Sequence, residues 1–148
     1  MIYVRKIIAL LTLFALVACA SYPDSFVRNQ PSNWITIELA NGATREAVWG
    51  KVADSFKERD LEFEKIDREA GYMRTSWHYV VTKSQQSILD YFVPKKIYAT
   101  RVIVDFPSTG KIIRVKTEAQ YNVDGAWIEG FDTNYSQTIK NELAQILR

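Results

Sequence analysis

The sequence predicts an α+β domain in which an antiparallel sheet carries two amphipathic helices on one face. Three observations lead to this fold class. Several short segments alternate apolar and polar side chains, as half-buried strands do. Two longer segments repeat apolar side chains at helical spacing, and short turn-forming stretches connect consecutive strands. Two helices can cover one face of such a sheet, so the expected architecture is a two-layer sandwich with the order β-α-β-β-β-β-α.

The domain is expected to begin with a strand at residues 34–39, WITIEL, in which apolar and polar side chains alternate. Asn41 and Gly42 then turn the chain, and Thr44 is a suitable N-cap for a helix over residues 45–59. The apolar stripe of this helix consists of Val48, Val52 and Phe56.

Two pairs of strands are expected to follow the first helix. Residues 61–66 and 72–80 form the first pair, and residues 96–106 and 111–123 form the second. Residues 82–94, between the pairs, fit either a short helical turn or a loop. One face of the strand at 72–80 is expected to carry Met73, Thr75, Trp77 and Tyr79.

A loop and a helix are expected to complete the domain. Residues 122–130 contain Asp124, Gly125 and Trp127, and they are predicted to form a loop. The helix covers residues 133–147, with Asp132 or Thr133 as its N-cap. Its apolar stripe consists of Tyr135, Ile139, Leu143 and Ile146.

Residues 1–18 have the pattern of a signal peptide. The basic pair Arg5 and Lys6 precedes an uncharged run of 11 residues, 7–17. Such a run is too short to span a bilayer core of about 30 Å. The run ends in the motif LVAC, which resembles the lipobox of bacterial lipoproteins. The resemblance implies cleavage between Ala18 and Cys19 and the attachment of a diacylglycerol and an N-acyl chain to Cys19. No other cofactor is expected.

Residues 19–33 are expected to comprise the lipidated cysteine and a flexible tether. Pro23, Pro31 and several Ser, Asn and Asp residues disfavour regular structure there. A flexible chain of this length spans about 20 Å, and the single domain then occupies residues 34–148. Ala20 stands where an Asp retains lipoproteins in the inner membrane. It resembles the set sorted to the outer membrane, so a lipid-anchored position at the periplasmic face of that membrane is expected.

The mature chain is expected to be electrically neutral. The full sequence has 19 basic and 17 acidic residues. The signal peptide contains two of the basic residues and no acidic one, which leaves 17 of each. A neutral domain offers no electrostatic case for nucleic-acid binding. It also lacks a polybasic patch, so the acyl chains would supply the attachment to the membrane.

Residues 47–77 contain AVW within the first helix, FE within the following strand, a turn with Asp67 and Gly71, and the motif TSW in the next strand. This pattern resembles the repeat unit of the BamC (NlpB) lipoprotein family. The resemblance implies a helix-grip fold, in which a long helix lies across an antiparallel sheet. It also implies a place beside the machine that inserts β-barrels in the outer membrane. BamC has two such domains and a long N-terminal segment, so the pattern here favours a related single-domain lipoprotein.

Side chains suited to catalysis are few. His78 is the one histidine of the sequence, no nucleophile motif accompanies it, and a surface position is expected. Glu62 and Glu64 share a strand face, where cross-strand ion pairs are expected rather than an acid–base pair. One cysteine and one histidine are too few for a structural zinc site. The sequence therefore predicts a non-enzymatic protein without a metal site.

Two sets of side chains are candidates for binding. Trp127, in the predicted loop, either plugs the end of the sheet or contacts a partner, and Phe26, Tyr91 and Phe92 are similar candidates. A second set either fills the core or lines a helix-grip cavity: Trp49, Phe56, Phe63, Met73, Trp77 and Tyr121. The expected function is the binding of protein partners in envelope or outer-membrane assembly or maintenance. The alternative is a carrier or sensor of a lipid or other small apolar ligand.

Overall fold

The structure is a computed structural model that describes residues 22–80, 97–123 and 125–148. These residues form an antiparallel sheet with two helices, which confirms the predicted α+β class. The strands are β1 (Phe26–Arg28), β2 (Ile35–Glu38), β3 (Phe63–Asp67), β4 (Tyr72–Thr75), β5 (His78–Val80), β6 (Tyr98–Asp105), β7 (Ile112–Val123) and β8 (Ala126–Asp132). The helices are α1 (Arg45–Glu58), between β2 and β3, and α2 (Thr133–Ile146), after β8.

The longest strand, β7, has 12 residues and organises the sheet. One of its edges pairs with β6 over eight residues, from Asp105 opposite Arg114 to Tyr98 opposite Tyr121. The other edge is shared, because β2 pairs with the first part of β7 and β8 pairs with the last part. The sheet continues from β6 to β4 and β3 on one side and from β8 to β1 on the other, and β5 also pairs with β6.

The core lies between one face of the sheet and both helices. Its most deeply buried members are each at most 1% exposed: Val52 and Phe56 of α1, Ile139 and Leu143 of α2, Val102 and Val104 of β6, and Ile113 and Val115 of β7. Trp49 also packs against Phe106, with ring centroids 4.7 Å apart. Burial of one such side chain contributes about 1.5–3 kcal/mol, so this layer holds both helices on the same face of the sheet.

Both helices begin at a capped residue. Oγ1 of Thr44 accepts a hydrogen bond of 3.3 Å from the backbone N–H of Ala47. Oδ1 of Asp132 accepts one of 3.0 Å from the backbone N–H of Tyr135. Asp132 is therefore the N-cap of α2, and it is also the last residue of β8, so the strand passes directly into the helix.

The predicted loop at residues 122–130 is instead a hairpin turn followed by β8. The backbone N–H of Gly125 donates to Oδ1 of Asn122, and the positive φ of Gly125 allows the tight turn. Gly130 lies inside β8, where β1 passes so close that a side chain would not fit. A Cβ atom at Gly130 would stand 2.2 Å from the carbonyl oxygen of Val27. Both glycines favour a loop when the sequence is considered alone.

The predicted tether also differs, because the chain packs on the domain from Tyr22 onward. β1 pairs with β8, and Phe26 is 8% exposed with its ring centroid 4.7 Å from that of Tyr121. Oγ of Ser25 donates a hydrogen bond of 3.1 Å to Oδ2 of Asp132. The observed element order therefore contains β1 and β8, which the predicted order lacks. The local signals for these strands are weak, and pairing with distant residues decides them.

Gly130 and Gly50 are expected to respond in opposite ways to replacement by alanine. Gly130→Ala places a methyl group against the backbone of Val27, so we expect the free energy of unfolding to fall by about 1–3 kcal/mol. Gly50, in α1, has no atom within 4 Å of an added Cβ. Gly50→Ala should therefore raise the free energy of unfolding by about 0.5–1 kcal/mol. Urea denaturation measures both, and an unchanged stability of Gly130→Ala would contradict the close packing of β1 on β8.

Candidate interaction surface

The face of the sheet opposite α1 and α2, called here the distal face, carries polar and aromatic side chains. Along β7, these side chains alternate with residues that are buried in the core, as the sequence pattern of residues 111–123 predicts. The distal residues of β7 are Arg114, Lys116, Glu118 and Gln120. Pairing with β6 places Arg101 directly opposite Glu118 on this face. The distal face therefore brings together charged groups that lie far apart along the chain.

Ion pairs connect four strands of the distal face. Nη2 of Arg74, on β4, lies 2.8 Å from Oε1 of Glu64, on β3. Arg101, on β6, lies 2.6 Å from Oε2 of Glu118, on β7, and 3.7 Å from Oε2 of Glu64. Nζ of Lys116 lies 3.2 Å from Oε1 of Glu118. This network binds three cations to two carboxylates and favours the observed strand register.

Glu118 is ionised throughout the neutral pH range. Burial alone would raise its pKa, but the hydrogen bonds and charges of Arg101 and Lys116 outweigh burial. The pKa of Glu118 therefore lies below its usual value. Because both carboxylate oxygens are occupied, Glu118 positions Arg101 and is not an unpaired carboxylate.

A β-bulge between β4 and β5 decides the position of Trp77. Met73 lies opposite Val104, whereas His78 lies opposite Thr100, so five steps along this chain face four steps along β6. The extra residue falls at residues 76–77 and reverses the alternation. Simple alternation places Trp77 beside Met73, but the side chain instead lies with the distal residues. There the guanidinium carbon of Arg101 is 4.3 Å from the Trp77 ring centroid.

A groove of about 480 Å³ lies beside Trp77 on the distal face. The sheet contributes Trp77, Arg101, Glu118, Ala119, Glu129 and Gly130, and residues 29–31 form another wall. Residues 29–31 belong to the segment that leads from β1 to β2, and Oγ of Ser32 donates to the carbonyl oxygen of Thr117. This bond fixes the segment, and therefore the wall, on the sheet.

Two carboxylates, Glu118 and Glu129, and one cation, Arg101, line the groove. The charge of Arg101 is balanced by Glu118, whereas Glu129 is exposed and makes no ion pair within the described part of the chain. Asn29 and Gln30 add amide groups that can donate and accept hydrogen bonds. The chemistry of the groove therefore suits a basic or hydrogen-bonding group, such as a Lys or Arg side chain of a protein, rather than an apolar molecule.

Exposed aromatic side chains stand at two ends of the distal face. Trp34 is 43% exposed, and the guanidinium carbon of Arg114 lies 5.4 Å from its ring centroid. Trp127 is 37% exposed, and its ring lies 5.7 Å from that of Tyr79. Tryptophan and arginine are the residue types most enriched among energetically important interface positions. The distal face therefore has the composition of an interaction surface.

The structure separates the residues that the sequence suggests for partner binding. Trp127 is exposed on β8, close to the hairpin turn. Phe26 is buried against Tyr121, so its ring is a packing element. Tyr91 and Phe92 lie outside the described residues, as do the cleavage site at Ala18 and the lipidation site Cys19.

The six residues suggested as a cavity lining also occupy different places. Trp49, Phe56 and Met73 are buried in the core, where each is at most 6% exposed. Phe63 packs beside Phe56, with ring centroids 6.1 Å apart. Trp77 lies on the distal face.

The sixth, Tyr121, belongs to a separate aromatic cluster with Tyr22, Phe26 and Tyr98. Burial and the nearby charge of Asp132 raise the pKa of Tyr98 above its usual range, so this phenol stays protonated.

Sequence reasoning does not single out Arg101, Glu118 and Glu129 as a group. The two residues Arg101 and Glu118 are 17 positions apart, and register between β6 and β7 brings them together. Glu129 lies in a segment that reads as a loop. The alternation of residues 111–123 does identify Glu118 as a polar-face residue, which is the one local signal for this site.

The sequence matches no protein-family model and no curated protein. Among the described residues, no helix is long and apolar enough to cross a membrane. Residues 22–80, 97–123 and 125–148 contain no group of three or more His, Cys, Asp or Glu side chains that could hold a metal ion.

Glu118→Gln is expected to lower stability by about 1 kcal/mol at pH 7, because it weakens two charge-assisted contacts in a half-buried network. Because the pKa of Glu118 is lower in the folded protein than its usual value, ionised Glu118 stabilises the fold at pH values above the usual pKa of glutamate. The difference between wild type and Glu118→Gln should therefore shrink as pH falls through the lowered pKa. Urea denaturation between pH 7 and pH 3 measures it.

Glu129→Gln is the matched control for this experiment. It removes a carboxylate from the same face, but Glu129 makes no ion pair within the described residues. We expect a change within about 0.5 kcal/mol across the pH range. Equal effects of the two substitutions would show that the network around Glu118 does not stabilise the fold.

Proposed function

We propose that this protein is a non-enzymatic lipoprotein of the outer membrane that faces the periplasm. In this role it binds protein partners in envelope assembly or maintenance through its distal face. The signal peptide and the lipobox at Cys19 support the anchoring, and the neutral charge of the mature chain leaves attachment to the acyl chains. The domain would hold its partner near the membrane surface without altering it chemically.

The observation that carries this proposal is the groove beside Trp77. Arg101 is already paired with Glu118 and stacked on Trp77, so these groups form a rigid, prearranged surface. Glu129 at the same groove supplies a carboxylate that makes no ion pair among the described residues. A prearranged aromatic group beside such a carboxylate favours recognition of a basic side chain on a partner protein.

Glu64 and His78 are the groups best suited to acid–base chemistry, and their positions favour a binding role over catalysis. Glu64 is held by Arg74 and by Arg101, which leaves it without a free role in proton transfer. His78 is exposed on β5. Neither group lines the groove beside Trp77.

The assignment to the helix-grip class is part of the proposal. Both helices pack on one face of a single antiparallel sheet, and α2 contacts β2, β7, β8 and α1. This arrangement agrees with a long C-terminal helix held across a curved sheet. It supports kinship with single-domain relatives of the BamC-type lipoproteins, and it leaves the distal face for partners.

Site-specific photo-crosslinking in living cells tests the proposed function. A photoreactive phenylalanine analogue replaces Gln30, an exposed residue of the groove wall, or Asn141, an exposed residue of α2 on the other side of the molecule. We expect discrete adducts with an envelope protein from position 30 and none from position 141. The substitution Cys19→Ala should remove these adducts, because the domain then no longer stays at the membrane.

An alanine substitution in the groove strengthens the same test. Trp77→Ala removes the aromatic wall of the groove and should reduce the adducts from position 30 about tenfold, since a central aromatic contact is worth about 1–2 kcal/mol. Trp34→Ala, remote from the groove, should leave them unchanged. Identical adducts from positions 30 and 141, or adducts that persist in Trp77→Ala, would contradict a partner site at the groove. Recovery of a bound lipid in place of any protein adduct would support the carrier alternative.

A further inference from the structure

Tyr22 lies very close in sequence to the proposed anchor at Cys19. Tyr22 is the first described residue, and it follows Cys19 by three positions. A chain extends by at most about 3.6 Å per residue, so the Cα atoms of Cys19 and Tyr22 stand no more than about 11 Å apart. If Cys19 carries acyl chains, Tyr22 is therefore held within about that distance of the lipid surface.

Tyr22 packs on the domain, so the limit on its distance from the lipid surface also limits the position of the domain. Its ring lies 5.5 Å from that of Phe26 and 6.0 Å from that of Tyr121. The backbone N–H of Phe26 donates to the carbonyl oxygen of Pro23, and Ser25 donates to Asp132. The segment therefore continues from Tyr22 into β1 without a free linker, and the position of Tyr22 sets the position of the domain.

The end of the sheet beside Tyr22 is rich in aromatic side chains. We call it the aromatic end and define it by Tyr22, Tyr79, Tyr98, Tyr121 and Trp127. Tyr98 and Tyr121 pack with centroids 4.5 Å apart, and Trp127 pairs with the residue after Tyr121 in the β7–β8 hairpin. Tryptophan and tyrosine are enriched where proteins meet the membrane–water interface, because each has an apolar ring and a polar group.

We propose that the aromatic end rests directly on the lipid surface, so that the strands stand away from the membrane and the domain has one fixed orientation. This inference depends on the proposed lipidation of Cys19. The occupant of the aromatic end is the headgroup region of the bilayer that holds the acyl chains. Contact relies on the aromatic groups and on the short anchor.

The orientation gives the distal face a defined height above the membrane. Trp34 contacts Arg114, whereas Trp127 lies opposite Asn122, eight residues further along β7. At about 3.4 Å per residue, these two exposed tryptophans differ in height by about 27 Å. Glu118, at the groove, lies between them. The partner site would thus stand clear of the headgroups, and Trp127 would touch them.

Fluorescence quenching by lipid tests the orientation with two matched tryptophans. The acylated mature protein is reconstituted in phosphatidylcholine vesicles that contain phosphatidylcholine brominated high on its acyl chains. We expect bromolipid quenching to fall about threefold in Trp127→Phe, since the interfacial tryptophan is then missing. Trp34→Phe should retain the quenching of wild type, because Trp34 lies at the far end of the distal face.

A linker insertion separates anchoring from orientation. Ten Gly and Ser residues inserted between Ser21 and Tyr22 keep Cys19 and its lipobox but let the domain move about 20 Å from the surface. We expect normal acylation by intact mass and a large loss of quenching. Equal quenching of Trp34 and Trp127, or unchanged quenching after the insertion, would overturn the orientation while the anchor stands. Absence of acyl mass on Cys19 would instead remove the anchoring on which both proposals depend.

Discussion

The fold depends on the pairing of β7 with three different strands. Its first edge is filled by β6, and its second edge is divided between β2 and β8. β1 pairs with the outer edge of β8 whereas β2 pairs with β7, so the chain between them passes across β8, and residues 29–33 are that segment. Ser32 fastens it to the carbonyl oxygen of Thr117. The groove wall at residues 29–31 is thus a direct consequence of how the edge of β7 is divided.

The two faces of the sheet are stabilised by different forces. The face that meets the helices is held by the burial of apolar side chains, which is insensitive to pH and salt. The distal face is held by charged pairs, from Glu64 to Lys116, which weaken as salt rises or carboxylates are protonated. The interactions that stabilise the surface proposed for partner binding therefore change with salt and pH. The helical layer keeps the backbone in place.

Local sequence patterns predict most of the helices and strands whose formation depends on residues close together in the sequence. Both helices follow from apolar spacing and from the caps Thr44 and Asp132, and the alternation in β7 separates core from distal residues. The errors concern contacts between distant segments. β1 and β8 form because Phe26 and Gly130 fit together, and neither residue signals a strand by itself. The meeting of Arg101 with Glu118 depends on register, which local composition does not encode. The lipobox stays a prediction, because Cys19 lies outside the described residues.

Because of the extra residue at 76–77, which side chains reach the distal face depends on the number of residues between β4 and β5 as well as on residue type. Odd-numbered residues of β4 point to the core, and after the bulge odd-numbered residues of β5 point to the distal face. Deletion of Ser76 would remove the extra residue, and Trp77 would then follow Thr75 directly and reach the distal face by simple alternation. Related sequences should therefore be aligned with a gap allowed at this point, since a gapless alignment would compare inward-facing side chains with outward-facing ones.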